Sequence, residues 1–137
     1  MHFLFKEEPT NYSYDAFVKD GKATWTGVKN PVAQRNLRSV KKGDLVFYYH
    51  TGDEKQIVGI AKAAGDAYPE RPNSVPHVVD LVPVKKLKRP VTLKEIKADP
   101  ALADMELVRQ SRLSVAEVRP EEWEHILAMS KRKSALA

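Results

Sequence analysis

The chain has 137 residues, which corresponds to one domain of ordinary size, and 42% of them are hydrophobic, enough for a single core. It has no cysteine, which excludes disulfides, thiolate zinc sites and a cysteine nucleophile and is typical of a reducing, intracellular protein. With 23 Lys and Arg against 18 Asp and Glu, the formal net charge is +5, which favours an anionic partner.

The first apolar run is short. Phe3–Phe5 is followed at once by charged residues and Pro9. A signal-peptide core needs about 7 to 15 apolar residues and a membrane helix about 20. We therefore expect a cytoplasmic protein without a membrane partner.

The predicted elements begin with a buried strand at Phe3–Phe5 and a helix from Ser13 to Lys19, which the Ser13 side chain caps. Asn30 and Pro31 predict the start of a second helix, because an amide side chain can cap it and proline fits its first turn. The hydrophobic spacing carries this helix to about Val40.

The second helix separates apolar from polar side chains. Its apolar face consists of Ala33, Leu37 and Val40, and its other sides hold Gln34, Arg35 and Arg38. We therefore expect Gln34 to be exposed, as the two arginines are.

A strand follows at Leu45–Tyr49, after a glycine-containing turn. Successive strand residues face opposite sides, so Phe47 and Tyr49 are expected on one side and Tyr48 and His50 on the other. We expect one of these two sides to be the core.

The rest of the chain alternates strands with short helices. Strands are predicted at Gln56–Ala63, His77–Leu87 and Ser111–Val118, helices at Thr92–Ile96 and Leu102–Met105, and a last helix from Pro120 with Trp123, Ile126 and Leu127 buried. Pro83 indicates an edge or a bulge, and an edge there could support a weak homodimer of an otherwise monomeric protein.

This order of elements, without a regular βαβ repeat, favours an α+β fold with a small, curved, mostly antiparallel sheet or barrel and flanking short helices. We expect a single domain over residues 1–133, followed by a disordered tail at 134–137.

Two cationic clusters have ordinary structural explanations. Lys131–Lys133 follows the last helix, where positive charge complements the helix dipole, and without it the net charge is 5 − 3 = +2. The cluster at Lys85–Arg89 is also what a solvated edge strand protected by lysine would show.

No pattern in the sequence indicates catalysis, a metal or a cofactor. The four histidines, at positions 2, 50, 77 and 125, lack ligand spacing. The G-x-S-x-G, P-loop and G-x-G-x-x-G patterns are absent.

The segment from Trp25 to His50 combines groups that suit a flat polar ring. Trp25, Tyr48 and Tyr49 offer stacking faces, and Asn30 and His50 can bond the ring's edge, as single nucleobases are usually held. Two plainer roles stay open at this point, since Trp25 can be a core anchor and His50 a structural histidine.

Several motifs run in order through nearly the whole chain. They include F-L-F-K-E-E-P, Y-S-Y-D-A-F, W-T-G-V-K-N, A-Q-R-N-L-R, K-K-G-D-L-V-F-Y-Y-H-T and L-V-R-Q-S-R-L-S-V-A-E-V. In these motifs the chain resembles the EVE domain family, small PUA-like proteins related in fold to the YTH readers of methylated RNA.

The resemblance implies a PUA-like barrel whose pocket recognises modified bases of the methylated cytosine or adenine type in nucleic acid. The implied pocket residues are Lys6, Glu7, Glu8, Ser13, Trp25, Val28, Asn30, Tyr49, His50, Arg112, Leu113 and Ser114. Trp25 and a neighbouring tyrosine would stack the base, and Asn30 and Ser13 would bond its edge. The implied phosphate contacts are Lys6, Arg35, Arg38 and Arg112.

The chain departs from the family pattern at three places. Phe3 stands where the family usually has Trp, Glu7 where it has Ser, and Pro31–Val32 where it often has Tyr-Gln. The carboxylates of Glu7 and Glu8 would repel phosphate, unless one of them accepts a hydrogen bond from an exocyclic amine.

We therefore predict a non-enzymatic module that binds DNA or RNA carrying a modified base, without a cofactor. One alternative is a nucleotide or nucleoside sensor or enzyme that uses His50 as acid or base. Another is a protein-interaction adaptor, which should show an exposed apolar patch.

Overall fold

The computed structural model describes residues 1–131 of the chain. The strands are β1 (His2–Glu7), β2 (Ala23–Trp25), β3 (Leu45–His50), β4 (Gln56–Ala63), β5 (Tyr68–Pro69), β6 (His77–Thr92) and β7 (Val115–Val118). The helices are α1 (Pro9–Tyr12), α2 (Tyr14–Asp20), α3 (Pro31–Arg38), α4 (Leu93–Ala98), α5 (Glu106–Arg109) and α6 (Pro120–Lys131), with a 3-10 turn at Pro100–Leu102. The tail predicted at 134–137 lies outside the described residues.

Six strands form a curled mixed sheet in the order β2-β6-β4-β3-β1-β7, and β5 pairs with β6 off this path. β1 runs parallel to β3, and every other pairing is antiparallel. The prediction of an α+β fold with a small, mostly antiparallel sheet is confirmed. Among residues 1–131, none of the helices has both the length and the apolar character that a membrane span needs.

Both faces of the sheet are buried. One core contains Phe3, Phe5, Phe17, Trp25, Leu37 and Tyr48, and the other contains Leu4, Phe47, Tyr49, Ile96, Trp123 and Ile126. The alternation predicted for β3 is confirmed, but the expectation of a single core side is wrong. The reason is that α2 and α3 cover one face while α4 and α6 cover the other.

The start of α3 agrees with the prediction, because the Asn30 side chain accepts hydrogen bonds from two backbone N–H groups of its first turn. The helix ends at Arg38 rather than Val40. The predicted exposure of Gln34 is wrong, since this side chain is only 7% exposed. Its amide donates to the carbonyls of Val28 at 2.6 Å and His77 at 3.2 Å and accepts from the His77 N–H at 3.0 Å. A buried amide is stable when its polar atoms are bonded in this way.

β6 is longer than predicted and runs to Thr92 rather than Leu87. The bulge predicted at Pro83 is confirmed, because the register with β4 shifts between the pairs Ala61–Pro83 and Ile60–Lys85. A bulge bends a strand, which helps a sheet of this size to curl.

The C-terminal third differs from the prediction in detail. Only Val115–Val118 of the predicted strand at 111–118 is extended, and residues 111–114 form a loop. The helix predicted at 102–105 is replaced by the 3-10 turn and by α5. In α6, Trp123 is buried as expected, whereas Leu127 is only partly buried.

Candidate nucleic-acid interface

The turn between α2 and β2 positions the first part of the site. Ser13 caps α2 by accepting a hydrogen bond from the Ala16 N–H at 3.1 Å. Gly21 ends the helix with a φ of 77°, a left-handed conformation that glycine adopts without strain. The chain therefore reverses, and β2 leads directly to Trp25.

A cavity of about 450 Å³ opens beside Trp25, and we name it the Trp25 cavity. It lies between the end of β1, the two helices that follow it and β2. Its lining residues are Glu7, Asn11, Tyr12, Asp20, Lys22, Ala23, Thr24, Trp25 and Thr26.

Trp25 is both a core residue and part of the cavity wall. It is 6% exposed, and its ring lies 5.6 Å from that of Phe5 and 5.4 Å from that of Tyr48, the latter at 89°. The tyrosine that neighbours Trp25 is therefore Tyr48, while Tyr49 lies in the core on the opposite face. A base in this cavity would meet the exposed remainder of the indole.

The cavity is rich in hydrogen-bond acceptors. One carboxylate oxygen of Glu7 accepts from the Glu8 N–H at 2.9 Å and from the Asn11 amide at 3.0 Å. Asp20 accepts from the Tyr12 hydroxyl at 2.8 Å. Burial, and then this bond to Asp20, raises the pKa of Tyr12 to about 12, so Tyr12 stays a donor at neutral pH. Within residues 1–131, no group of three or more His, Asp or Glu side chains is arranged to hold a metal.

His50 uses both ring nitrogens inside the fold. Nε2 accepts from the Tyr14 N–H at 3.0 Å, which makes Nδ1 the protonated nitrogen, and Nδ1 donates to Glu54 at 2.9 Å. The bond to His50 is the main cause that lowers the pKa of Glu54. With 7% exposure, His50 holds the start of α2 in place, which supports the structural role left open by the sequence.

Asn30 lies at a second cavity, of about 310 Å³, which we name the Arg112 cavity. The side-chain oxygen of Asn30 caps α3 by accepting from the N–H groups of Val32 at 2.9 Å and Ala33 at 3.1 Å. Exposed Arg112 and Arg109 line the same cavity. The two arginines make this lining cationic, which suits a phosphate better than a base.

A third cavity, of about 440 Å³, is lined by Val28, Arg38, buried Gln34 and partly buried His77, among others. We name it the Gln34 cavity. Arg35, the residue that follows Gln34 in α3, is exposed and is not part of the lining of this cavity. The lining of the Gln34 cavity is more apolar than that of the Trp25 cavity, with Pro31 and Val75 at its wall.

The end of β1 separates two predicted pocket residues that are neighbours in the chain. Glu7 lines the Trp25 cavity, whereas Lys6 lies on the other face, 5.7 Å from the centre of the Tyr49 ring. Alternation along a strand accounts for this separation. The Lys6 ammonium donates to the Ser111 carbonyl at 2.7 Å, and burial lowers its pKa.

The structure thus distributes the predicted pocket residues over several places. Glu7 shares a cavity with Trp25, and Asn30 shares one with Arg112 and Leu113. Three others contribute to the fold. Ser13 caps a helix, and Leu113 is a core residue that is 4% exposed. The backbone carbonyl of Ser114 accepts a hydrogen bond from the Lys6 N–H at 2.9 Å. Glu8 caps α1 through its backbone carbonyl and packs against Gly52 with its side chain.

Sequence reasoning missed several residues of the Trp25 cavity, among them Asn11, Asp20, Lys22 and Thr26. Two of them could have been predicted from the sequence. A glycine directly after a helix predicts that the chain reverses direction there, so the residues on either side of the glycine lie close together. Asp20 and Lys22 flank that glycine. The Lys22 ammonium is turned towards Asp80, at 3.7 Å.

A curled mixed sheet with short helices on both faces, and cavities at the end of β1 and at the start of α3, defines a PUA-like α+β domain. The chain belongs to the EVE domain family, whose model matches residues 1–129. The resemblance drawn from the sequence is therefore confirmed.

Three proteins are similar to this chain in sequence, and two of them have known structures. An NMR structure of Rpa0253 from Rhodopseudomonas palustris is 42% identical, with a TM-score of 0.89 over 94% of this chain and 92% of that one. A crystal structure of human THYN1 protein in complex with 5-methylcytosine containing DNA is 27% identical, with a TM-score of 0.90 over 96% and 98%. An uncharacterized protein of Schizosaccharomyces pombe is 33% identical over 85% of this chain, which spans 58% of that relative's length.

A more distant likeness concerns the fold alone. The YTH domain of Zygosaccharomyces rouxii MRB1 protein, solved in complex with N6-methyladenosine RNA, has a TM-score of 0.61 at 18% identity, covering 99% of this chain and 90% of that one. The relation in fold between EVE and YTH domains, which the sequence resemblance implied, therefore holds for this chain.

Proposed function

We propose that this domain binds nucleic acid and accommodates one modified base, of the methylated cytosine or adenine type, in the Trp25 cavity without changing it chemically. Membership of the EVE family and the similarity to human THYN1 protein, which was crystallised with 5-methylcytosine containing DNA, support a binding module of this kind.

The observation that carries the proposal is a cavity that reaches the edge of the buried Trp25 indole and contains free carboxylate acceptors. One oxygen of Glu7 accepts two hydrogen bonds, and the other accepts none from residues 1–131. Cytosine and adenine both carry an exocyclic amine that donates, and carboxylates accept from such amines. Glu7, which replaces the usual serine of the family, is therefore the group that bonds the base's edge.

The size of the Trp25 cavity is compatible with a methylated base. A volume of about 450 Å³ falls within the usual range for small ligands, roughly 300–1,000 Å³. Burying one methyl group contributes about 0.8 kcal/mol, which corresponds to about fourfold in affinity. A methylated base should therefore bind about four times more tightly than its unmodified form from this contact alone.

Cationic side chains around the cavities provide contacts to the backbone of the nucleic acid. Arg112, Arg35 and Arg38 are exposed, and Arg112 shares its cavity with Arg109. Contacts to phosphates position a nucleic acid and make its affinity depend on salt. The sequence of the bound strand is then read only at the base that enters the Trp25 cavity.

A binding screen tests the proposal. Short DNA and RNA oligonucleotides with one 5-methylcytosine, one N6-methyladenine or no modification are compared at fixed salt. Glu7→Gln should weaken binding of the preferred modified oligonucleotide by about fivefold, because a bond to a charged acceptor is worth about 1 kcal/mol more than a neutral one. Equal affinity for all oligonucleotides would contradict the proposal.

Glu121→Gln is the matched control, because Glu121 is exposed on α6 and the substitution removes the same charge. Loss of a negative charge by itself strengthens binding to phosphates. Weaker binding by Glu7→Gln alone therefore identifies a direct contact. If both variants bind more tightly, Glu7 does not bond the base.

The geometry of His50 gives no support to the alternative of an enzyme. Both of its ring nitrogens are already bonded within the fold, so neither is placed to move a proton on a ligand. Modified nucleosides incubated with the protein and analysed by liquid chromatography should be recovered unchanged.

A further inference from the structure

A cationic pocket of about 270 Å³ lies on the face of the sheet opposite the Trp25 cavity. We name it the Lys6 pocket. Three lysines, two hydroxyl residues and a tyrosine line it: Lys6, Lys55, Lys97, Thr51, Ser111 and Tyr49. The lining itself includes no carboxylate within residues 1–131, but the Glu8 carboxylate packs against Gly52, which also lines the pocket, and the three lysines leave the local charge positive.

The ammonium of Lys6 retains unused hydrogen-bonding capacity. It is half-buried and donates to the Ser111 carbonyl at 2.7 Å, yet an ammonium has three donors. Among residues 1–131, no carboxylate lies within ion-pair distance of Lys6, Lys55 or Lys97. Lys55 and Lys97 are exposed, whereas Lys6 is partly buried, and partly buried charges are normally paired, so Lys6 is the lysine best placed to bind an anion.

A second, independent observation comes from Tyr49. The side chain is 3% exposed, lines the pocket, and its hydroxyl makes no hydrogen bond to another residue of the described chain. Burial raises the pKa of Tyr49 to about 12, so the hydroxyl keeps its proton at neutral pH and is able to donate. This hydroxyl is not enclosed from solvent, so it is available as a donor to an acceptor that enters the pocket.

The two outer lysines are held by backbone structure rather than by ion pairs. Lys55 has a φ of 47°, and its carbonyl accepts from the Leu93 N–H at 2.8 Å at the start of α4. Lys97 lies in the last turn of the same helix. The backbone of Lys55 is therefore tied to the start of the helix that carries Lys97, and the two exposed side chains extend from this shared support.

We propose that the Lys6 pocket binds a phosphate group of the nucleic-acid backbone. This inference rests on the proposed function, since it adds a contact for the strand whose base enters the Trp25 cavity. Lys6 and Glu7 are consecutive residues on opposite faces of β1, so the bound strand passes around the end of β1. The pocket shares Ser111 with the Arg112 cavity, so the two cationic sites are adjacent.

The first experiment uses the unmodified protein and inorganic phosphate. Phosphate is titrated at constant ionic strength, with chloride as the balancing anion, while amide shifts are followed by NMR. We expect saturable shifts at Thr51, Gly52 and Ser111. Shifts that do not saturate, or that are confined to other parts of the chain, overturn the proposal. Glu8→Gln should strengthen binding, because the Glu8 carboxylate packs against Gly52 and opposes an anion.

The second experiment measures the salt dependence of oligonucleotide binding by the double variant Lys55→Gln and Lys97→Gln. Loss of one phosphate contact should make the slope of log affinity against log salt shallower by about 1. At 0.1 M salt this corresponds to about eightfold weaker binding, since each contact contributes about 0.9 decade per decade of salt. Thermal unfolding of the variant shows whether its fold is retained.

A control removes two charges at the far end of the same strands. Lys41 and Lys62 are exposed near the start of β3 and the end of β4, roughly 17 Å from Thr51 along the strand. The double variant Lys41→Gln and Lys62→Gln should keep the slope of the unmodified protein. Equal slopes in the two double variants overturn the proposal.

The outcomes separate this proposal from the proposed function. If modified oligonucleotides depend on Glu7 but not on Lys55 and Lys97, the Trp25 cavity reads a base and the backbone phosphate is not held in the Lys6 pocket. If no oligonucleotide binds while inorganic phosphate shifts Thr51 and Ser111, the pocket takes free phosphate, and both the proposed function and the backbone contact are wrong.

Discussion

Replacing Gln34 with methionine should destabilise the domain by about 3 kcal/mol. Methionine has similar length and flexibility but offers no strong hydrogen bonds. The change leaves the Val28 carbonyl and the His77 N–H without the partners that now lie at 2.6 and 3.0 Å. A buried backbone group without a partner costs about 1–3 kcal/mol, and the adjoining cavity admits some water, so about 1.5 kcal/mol for each group is reasonable.

Urea unfolding followed by circular dichroism measures this change, and Arg35→Met provides the control. Arg35 is the next residue of α3 and is exposed, so its substitution should change the free energy of unfolding by no more than about 0.5 kcal/mol. For a domain of this size, 3 kcal/mol lowers the melting temperature by about 10 °C. If Gln34→Met loses less than about 1 kcal/mol, the three hydrogen bonds do not hold the loop before α3.

Two further predictions concern packing and pH. Gly59→Ala should lower the free energy of unfolding by about 1–3 kcal/mol, because an added Cβ would lie 2.5–2.7 Å from ring atoms of buried Tyr14. The control Gly65→Ala, which has open space at that position, should change stability little. Equal urea midpoints for the two variants would show that the Tyr14 ring moves aside without cost. The bond from His50 lowers the pKa of Glu54 below its usual 4.5, so its stabilising effect is present above that pH and is lost as the pH falls through the lower folded-state value. The Glu54→Gln variant should therefore lose less stability than the unmodified protein as the pH falls below about 4.5. Urea midpoints that depend on pH in the same way in both proteins would contradict this account.

Elements with local signals could be predicted from the sequence. The start of α3 was visible because Asn30 and Pro31 act within one turn, and Thr92 begins α4 for the same reason, with a capping box to Glu95. β2 could not be predicted, since three residues are too few to show a period of two, and its position is set by pairing with β6. The burial of Gln34 could not be predicted, because its partner His77 is 43 residues away in the chain.

The candidate site was only partly visible in the sequence. Trp25 and Glu7 were placed in one pocket, and the structure brings them to one cavity. Lys6 was assigned to that pocket as well, because the predicted strand ended at Phe5, whereas β1 runs to Glu7 and therefore turns Lys6 and Glu7 to opposite faces. The separation of Tyr49 from Trp25 follows from the same rule, once both sides of β3 are known to be buried.

The position of β1 has a consequence for how the chain folds. His2 pairs with Leu45 and with Val118, partners that are 45 − 2 = 43 and 118 − 2 = 116 residues away. Contacts between distant positions slow folding, because long loops must close before such contacts form. During synthesis β1 therefore waits until β7, whose Val118 lies 116 residues further along the chain than His2, has left the ribosome before both of its edges are paired.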